Sequence, residues 1–187
     1  MCKSTVLVVA AVGTSGSGKT TTLEYLISHF SANGYRVGAI KHIHHEEFSI
    51  DKEGTNTWRY AKAGSEIIVA VAPKEIDIIK KTKNELEDLD RIIELLEKEN
   101  LKVIFIEGFH KLIAKKKSVL KIICAKDYAD LERTLKDTLP PILGVTGLIT
   151  QNTDELKFGD IPIIKVPQHG EKLTKTIKEH IEKQEKS

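Results

Sequence analysis

Apolar residues follow two rhythms along this chain. One is the short unbroken run: Val6 to Val12, Val103 to Ile106, Val119 to Cys124, Pro141 to Val145 and Ile161 to Val166. A strand covered on both faces needs apolar side chains at successive positions, so these runs predict buried strands. The other rhythm is helical. Leu23, Leu26, Ile27 and Phe30 fall at i, i+3, i+4 and i+7, and Gly34 is a natural stop. Leu86, Leu89, Ile93 and Leu96 mark a second helix, with Asn84 and Glu87 as a capping pair. Tyr128, Leu131 and Leu135 mark a third, and Leu173, Ile177 and Ile181 a fourth.

Arg36 to Lys41 is a further short strand, so residues 4 to 41 form a strand–loop–helix–strand unit, a right-handed parallel crossover. The stretch His42 to Thr57 is polar and without period, a loop of functional length. A short helix over Thr57 to Ala63 closes at Gly64. Ile67 to Ala72 and Ile76 to Lys80, separated by Pro73, Lys74 and Glu75, predict a hairpin that would make the sheet mixed. The alternation of strands and helices predicts a three-layer α/β fold, mostly parallel with an antiparallel hairpin, residues 1–187 forming a single domain.

Composition narrows the partners. With 29 basic and 27 acidic residues the formal charge is only +2, which predicts no generic affinity for nucleic acid or membrane. Aromatics are 5% of the chain, too few for a base-stacking platform. Of the two cysteines, Cys2 lies at the N-terminal edge, and Cys124 ends an apolar run and reads as a small buried hydrophobe. Neither zinc spacing nor a disulfide framework is present. No apolar run approaches the roughly 18 residues of a membrane span, and the first run leads into glycine-rich sequence where a leader would carry a cleavage site. The expected location is cytoplasmic. The basic run Lys115 to Lys117 reads as a solvated loop.

The chemistry concentrates in Gly13-Thr14-Ser15-Gly16-Ser17-Gly18-Lys19-Thr20, which fits G-x-x-x-x-G-K-[ST] without a gap. Glycines let backbone N–H groups turn inward around a phosphate. The helix that opens near Lys19 aims its positive end at the same anion. Lys19 supplies an ammonium for the β- and γ-phosphates, and the Thr20 hydroxyl is a Mg²⁺ ligand. The motif follows a strand and opens an amphipathic helix, as this mechanism requires. Val103 to Ile106 then delivers Glu107 to the carboxyl end of a strand, where α/β sheets bind ligands and where such a site needs an acid for Mg²⁺. Lys41-His42-Ile43-His44-His45-Glu46-Glu47 follows the second strand. Its histidines suit a γ-phosphate contact, a metal such as Zn²⁺ or Ni²⁺, or a solvated loop. Asp51 is a candidate for Mg²⁺ or for positioning water.

Taken in order, the phosphate loop, Lys41 to His45, Asp51-Lys52-Glu53-Gly54, Ala63-Gly64 and Ile106-Glu107-Gly108-Phe109 resemble the molybdopterin-guanine dinucleotide biosynthesis adapter proteins, the MobB family, over residues 5 to about 125. The resemblance implies a P-loop NTPase fold and a homodimer that binds GTP with Mg²⁺ and hydrolyses it weakly. It implies a partner, a MobA-type molybdenum cofactor guanylyltransferase that joins GMP to molybdopterin. Carried onto this sequence, the nucleotide is held by Gly13, Thr14, Ser15, Gly16, Ser17, Gly18, Lys19, Thr20, Thr21 and His42. Thr20 and Glu107 take the metal, and Lys19, Lys41 and Asp51 serve the reaction. The chain departs from the family in Glu53, Thr55 and Asn56, and in His110 standing before Lys111. It lacks an Asn-Lys-x-Asp guanine motif. Lys126-Asp127 is the nearest substitute, and Asp127 equally suits the N-cap of the next helix.

Two other functions fit parts of the pattern. One is a small-molecule kinase, against which stands the scatter of Arg36, Arg59, Arg91 and Arg133. The other is a metal-delivery GTPase using His42, His44 and His45, which Cys2 and Cys124 do not accompany in sequence.

Overall fold

The structure is a computed structural model that describes residues 6–45, 47–82, 89–153 and 155–186. Leu86 and the capping pair Asn84 and Glu87 lie outside the described residues, as do Cys2 and Glu46.

Strand β1 (Leu7–Val12) is buried at every position. Successive side chains of a strand point to opposite faces, and the packing separates them accordingly. Leu7, Val9 and Ala11 join one apolar cluster, and Val8, Ala10 and Val12 join another. Helix α1 (Lys19–Ala32) follows and sends Leu23, Leu26 and Phe30 into the first cluster. Strand β2 (Val37–Lys41) completes the crossover.

The chain then forms a second compact unit, residues 43–88. It contains α2 (Asn56–Lys62) and the antiparallel pair β3 (Ile67–Ala72) and β4 (Glu75–Lys80). The Thr55 hydroxyl caps α2 by accepting from the Trp58 N–H at 3.2 Å.

The first unit resumes with α3 (Leu89–Glu97), β5 (Val103–Glu107), α4 (His110–Ala114), β6 (Leu120–Cys124), α5 (Tyr128–Lys136) and β7 (Ile142–Thr146). A 3-10 turn (Leu148–Gln151), the short pair β8 (Lys157–Phe158) and β9 (Ile161–Pro162), and α6 (Glu171–Glu185) finish it. Its sheet has the order β2-β5-β1-β6-β7, every pairing parallel. Helix α6 shares the α1 face through Leu173, Ile177 and Ile181. Leu89, Ile113 and Leu131 cover the other face. This is the three-layer α/β architecture expected.

Three expectations need correction. The hairpin is a two-stranded sheet of its own, so the central sheet is wholly parallel and not mixed. Backbone pairing of β3 with β4 satisfies the two strands against each other without joining the larger sheet. The run Ile161 to Val166 gives only a two-residue strand and a single parallel bridge, Val145 to Ile163. Pro162 lies within the run and Pro167 follows it, and proline offers no N–H to a ladder. Helix α4 was not foreseen, since His110 to Ala114 is too short for a period to show.

Strand β6 carries two buried titratable groups. Lys121 is fully buried, and its ammonium donates to the Lys116 and Val119 carbonyls at 2.5 and 3.1 Å. Cys124 is fully buried, as expected, and burial pushes its thiol up to about 12.

Candidate functional site

The phosphate loop stands where the sequence places it, between the end of β1 and the start of α1. Gly18 is the residue before α1, with φ +97°, and offers no side-chain cap. The first turn of α1 contains no acidic residue. The positive end of the helix is therefore left for an external anion and is not neutralised from within. Lys19 folds its ammonium back onto the Thr14 carbonyl oxygen at 2.5 Å, across the mouth of the loop. Burial lowers its pKa, with the Glu107 charge acting in the opposite direction.

Parallel register explains the acid. Ala11 of β1 and Lys41 of β2 both lie opposite Glu107 of β5. The three strands thus end within one residue of each other, and the last side chains of β2 and β5 meet. Thr20 Oγ1 donates to Glu107 Oε2 at 3.0 Å. The Lys41 ammonium donates to Glu107 Oε1. Burial alone would raise the Glu107 carboxyl. Hydrogen bonds from Lys41 and Thr20, with the charges of Lys41 and Lys19, outweigh it and hold the group below its ordinary value.

The backbone just past Glu107 is specialised. Gly108 has φ +100°, and a Cβ there would stand 2.5 Å from the His42 Cβ. Glycine at this position lets β2 and β5 run on in close contact. The His42 N–H donates to the Glu107 carbonyl at 2.8 Å. Its ring stacks on Phe109, centroids 4.2 Å apart with 12° between planes.

On the other side of the loop lies a cleft of about 320 Å³. Gly18, Thr21 and Thr22 form its floor side. Gly147, Leu148 and Gln151 come from the segment after β7, and Lys165 to Gln168 close it. Gly147 has φ +100°, and a Cβ there would fall 2.1 Å from the Ser17 carbonyl oxygen. The cleft wall and the phosphate loop are in backbone contact at that point.

The structure thus brings Lys19, Thr20, Lys41 and Glu107 together, with His42 beside them and Thr21 at the cleft. Asp51 belongs to the second unit, where its Oδ1 accepts from the Thr55 and Thr57 hydroxyls at 2.9 and 2.7 Å. Asp127 is the N-cap of α5, its Oδ1 accepting from the Asp130 N–H at 2.8 Å. This is the capping role that the sequence allowed for it. No group of three His, Cys, Asp or Glu that could hold a metal occurs among the described residues. No described helix is long and apolar enough to cross a membrane. Sequence reasoning missed two residues. Gly147 carries no motif. Asp130, 1% exposed, accepts from Thr14 Oγ1 at 3.0 Å, a partner 116 residues away that no local pattern discloses.

Strand, glycine loop, lysine-opened helix and strand-end acid in a parallel three-layer sheet define the P-loop class of nucleotide-binding proteins. The comparison with known proteins narrows the class. A profile of the family described as "Molybdopterin guanine dinucleotide synthesis protein B" matches residues 8–138, and the chain belongs to this family, MobB. The molybdopterin-guanine dinucleotide biosynthesis adapter protein of Escherichia coli is 35% identical over 115 residues, 60% of this chain and 65% of that protein. Its Haemophilus influenzae counterpart is 37% identical over 97 residues, 52% of this chain and 53% of that protein. The chain therefore spans less than two thirds of the length of these relatives in the matched segment. The crystal structure of Bacillus subtilis MobB superposes with a TM-score of 0.72 at 25% identity, covering 91% of this chain and 97% of that one.

Proposed function

We propose that this chain is a GTP-binding adapter that acts, as a homodimer, with a guanylyltransferase attaching GMP to molybdopterin, and that its own GTP hydrolysis is weak. The observation that carries the reading is the cluster Thr20–Glu107–Lys41 at the foot of a phosphate loop whose helix has no acid in its first turn.

Mg²⁺ fits this cluster. It favours hard oxygen ligands, and a hydroxyl and a carboxylate already converge here at 3.0 Å. Thr20 would hold the ion directly and Glu107 would hold its water shell. The ion's contribution would be charge neutralisation between the β- and γ-phosphates. Lys19 would bind the same phosphates, and Lys41 would stand at the γ end. Backbone N–H groups of Gly13 to Gly18 would cradle the anion, with the side chains of Thr14, Ser15 and Ser17 on the loop's outer surface or packed beneath it. The cleft beside Thr21 suits the base, with Leu148, Val166 and Pro167 as apolar walls and Gln151 and Gln168 as amides for its edge. His42 would sense the γ-phosphate, and the family resemblance adds Asp51 to the residues needed for stimulating the partner.

The homodimer reading draws on the family and on the hairpin. Val69, Val71, Ile76 and Ile78 are all more than half exposed on one pair of strands. An apolar, exposed ribbon of that kind calls for cover.

The test has two arms. Calorimetry with Mg-GTP should show Lys19→Ala weakening binding by about 2–5 kcal/mol, the scale of truncating one partner of a buried charge pair. A reconstituted GMP-transfer assay should show stimulation by the chain, lost in Lys41→Ala. Tight Mg-GTP binding by Lys19→Ala would sink the site. Absence of stimulation, with rapid turnover on a small acceptor, would favour a kinase.

A further inference from the structure

We propose that Asp130 is a positioning residue for the phosphate loop, and that it holds Lys126 across the crest of that loop as a second cation for the bound triphosphate. This rests on the nucleotide-binding reading above and adds to it two residues from the far side of β6.

Asp130 is a carboxylate at 1% exposure, and such a group costs free energy unless its oxygens are used. Its own helix offers only Arg133, one turn on, as an ion-pair partner. Asp127 already caps α5 by accepting from the Asp130 N–H. Asp130 Oδ2 instead reaches outside the helix, accepting from Thr14 Oγ1 and from the Lys126 N–H, each at 3.0 Å. One oxygen therefore ties the second residue of the phosphate loop to the segment following β6. Its other oxygen, Oδ1, has no hydrogen bond and faces Arg133 at 3.5 Å. Both hydrogen bonds of the carboxylate are thus made by Oδ2 to groups outside α5, while Oδ1 pairs with the Arg133 guanidinium.

Lys126 is what this tie positions. The backbone on its near side is fixed as well: the Ala125 N–H donates to the Thr146 carbonyl, and the Ala125 carbonyl accepts from the Ile149 N–H, both at 3.0 Å. From this anchored backbone the Lys126 side chain runs over Gly16, its Cε 3.8 Å from where a Gly16 Cβ would stand. Lys126 is exposed and joins no ion pair among the described residues. An ammonium on this side chain would lie above the phosphate loop, where the N–H groups would face a bound phosphate. Such an anion carries more charge than Lys19 alone balances, and charge-assisted contacts to phosphate are the strong ones.

The experiment is calorimetric titration of the full chain with Mg-GTP and with Mg-inorganic triphosphate, at low and moderate salt. Lys126→Met should weaken both ligands about tenfold and flatten the salt dependence, as loss of one phosphate contact does. Lys126→Arg should restore most of the affinity. Asp130→Asn should lose about as much as Lys126→Met, and the double variant should be no worse than either, since coupled residues are not additive. Thr14→Val, which removes only one of the two hydrogen bonds and leaves the buried charge in place, guards against a misfolded Asp130 variant and should show a smaller loss in the same direction. Full additivity in the double variant would overturn the positioning role. Unchanged binding of both ligands by Lys126→Met, with binding lost in Lys19→Ala, would overturn the cation while leaving the nucleotide site standing. Failure of the wild-type chain to bind either ligand would instead overturn the nucleotide reading itself.

Discussion

The central sheet and the β3–β4 hairpin are built from the same kinds of residue and have opposite fates. Val9, Ile104, Phe105 and Ile122 are wholly buried, while Val71 is 76% and Ile78 70% exposed. Both regions are short runs rich in valine and isoleucine, so β propensity does not distinguish them. What differs is the number of layers. The sheet has helices on both faces, so each residue of β1 finds a cluster whichever way it points. The hairpin buries Ile68 on one face and leaves Ile67, Val69 and Val71 on the other exposed. Apolar content alone says that a segment wants cover. Only the surrounding elements say whether the chain supplies it.

The comparison can be broken or sharpened by substitution. The largest effect belongs to the sheet. Phe105→Ala should cost about 3–5 kcal/mol in denaturant unfolding, the range for emptying an aromatic site in a closed core. A second, smaller effect tests how tightly the loops at the sheet's edge are packed. Gly147→Ala should cost about 1–3 kcal/mol, because its φ is left-handed and the added carbon meets the Ser17 carbonyl. Nucleotide affinity should fall with it, since the same contact fixes the phosphate loop.

The third effect is pH-dependent and belongs to the charged end of β5. Glu107 has a folded pKa below its ordinary value of 4.5. Its contribution is therefore present above that value and is lost as pH falls through the lower, folded one. Thermal melts of Glu107→Gln should lose part of the wild-type decline below about pH 4.5. Identical acid profiles for the two proteins would show that the Lys41 and Thr20 contacts do not hold the carboxylate as described.

The smallest effect should come from the hairpin. Val69→Thr on its exposed face should change chain stability by no more than about 0.5 kcal/mol, the usual range for surface positions. It should nonetheless weaken self-association, read by light scattering over a dilution series. If Val69→Thr costs as much stability as Phe105→Ala, the contrast between the two regions is wrong.

How much of this was legible depended on how local the cause was. Gly13 to Thr20 could be read because strand, loop and helix start are contiguous, and the mechanism needs only that order. Glu107 could be read because four apolar residues lead to it. The meeting of Lys41 with Glu107 needed the register of two strands separated by 66 residues in sequence. Asp130 was opaque for the same reason, since nothing near it in sequence mentions Thr14. The hairpin was legible as a hairpin. That it would stay out of the main sheet was not, because that depends on which edges remain open once β2 has paired with β5.

Cys124 gives the molecule an internal clock. Its thiol is shut in the layer behind the phosphate loop, 3.8 Å from the Thr22 hydroxyl, and burial holds it in the unreactive protonated form. An alkylating reagent can reach it only when β6 and the start of α1 part, so the labelling rate counts those openings. A ligand that grips Lys19 and Thr20 must slow the count, whereas a partner that covers only the hairpin should leave it running.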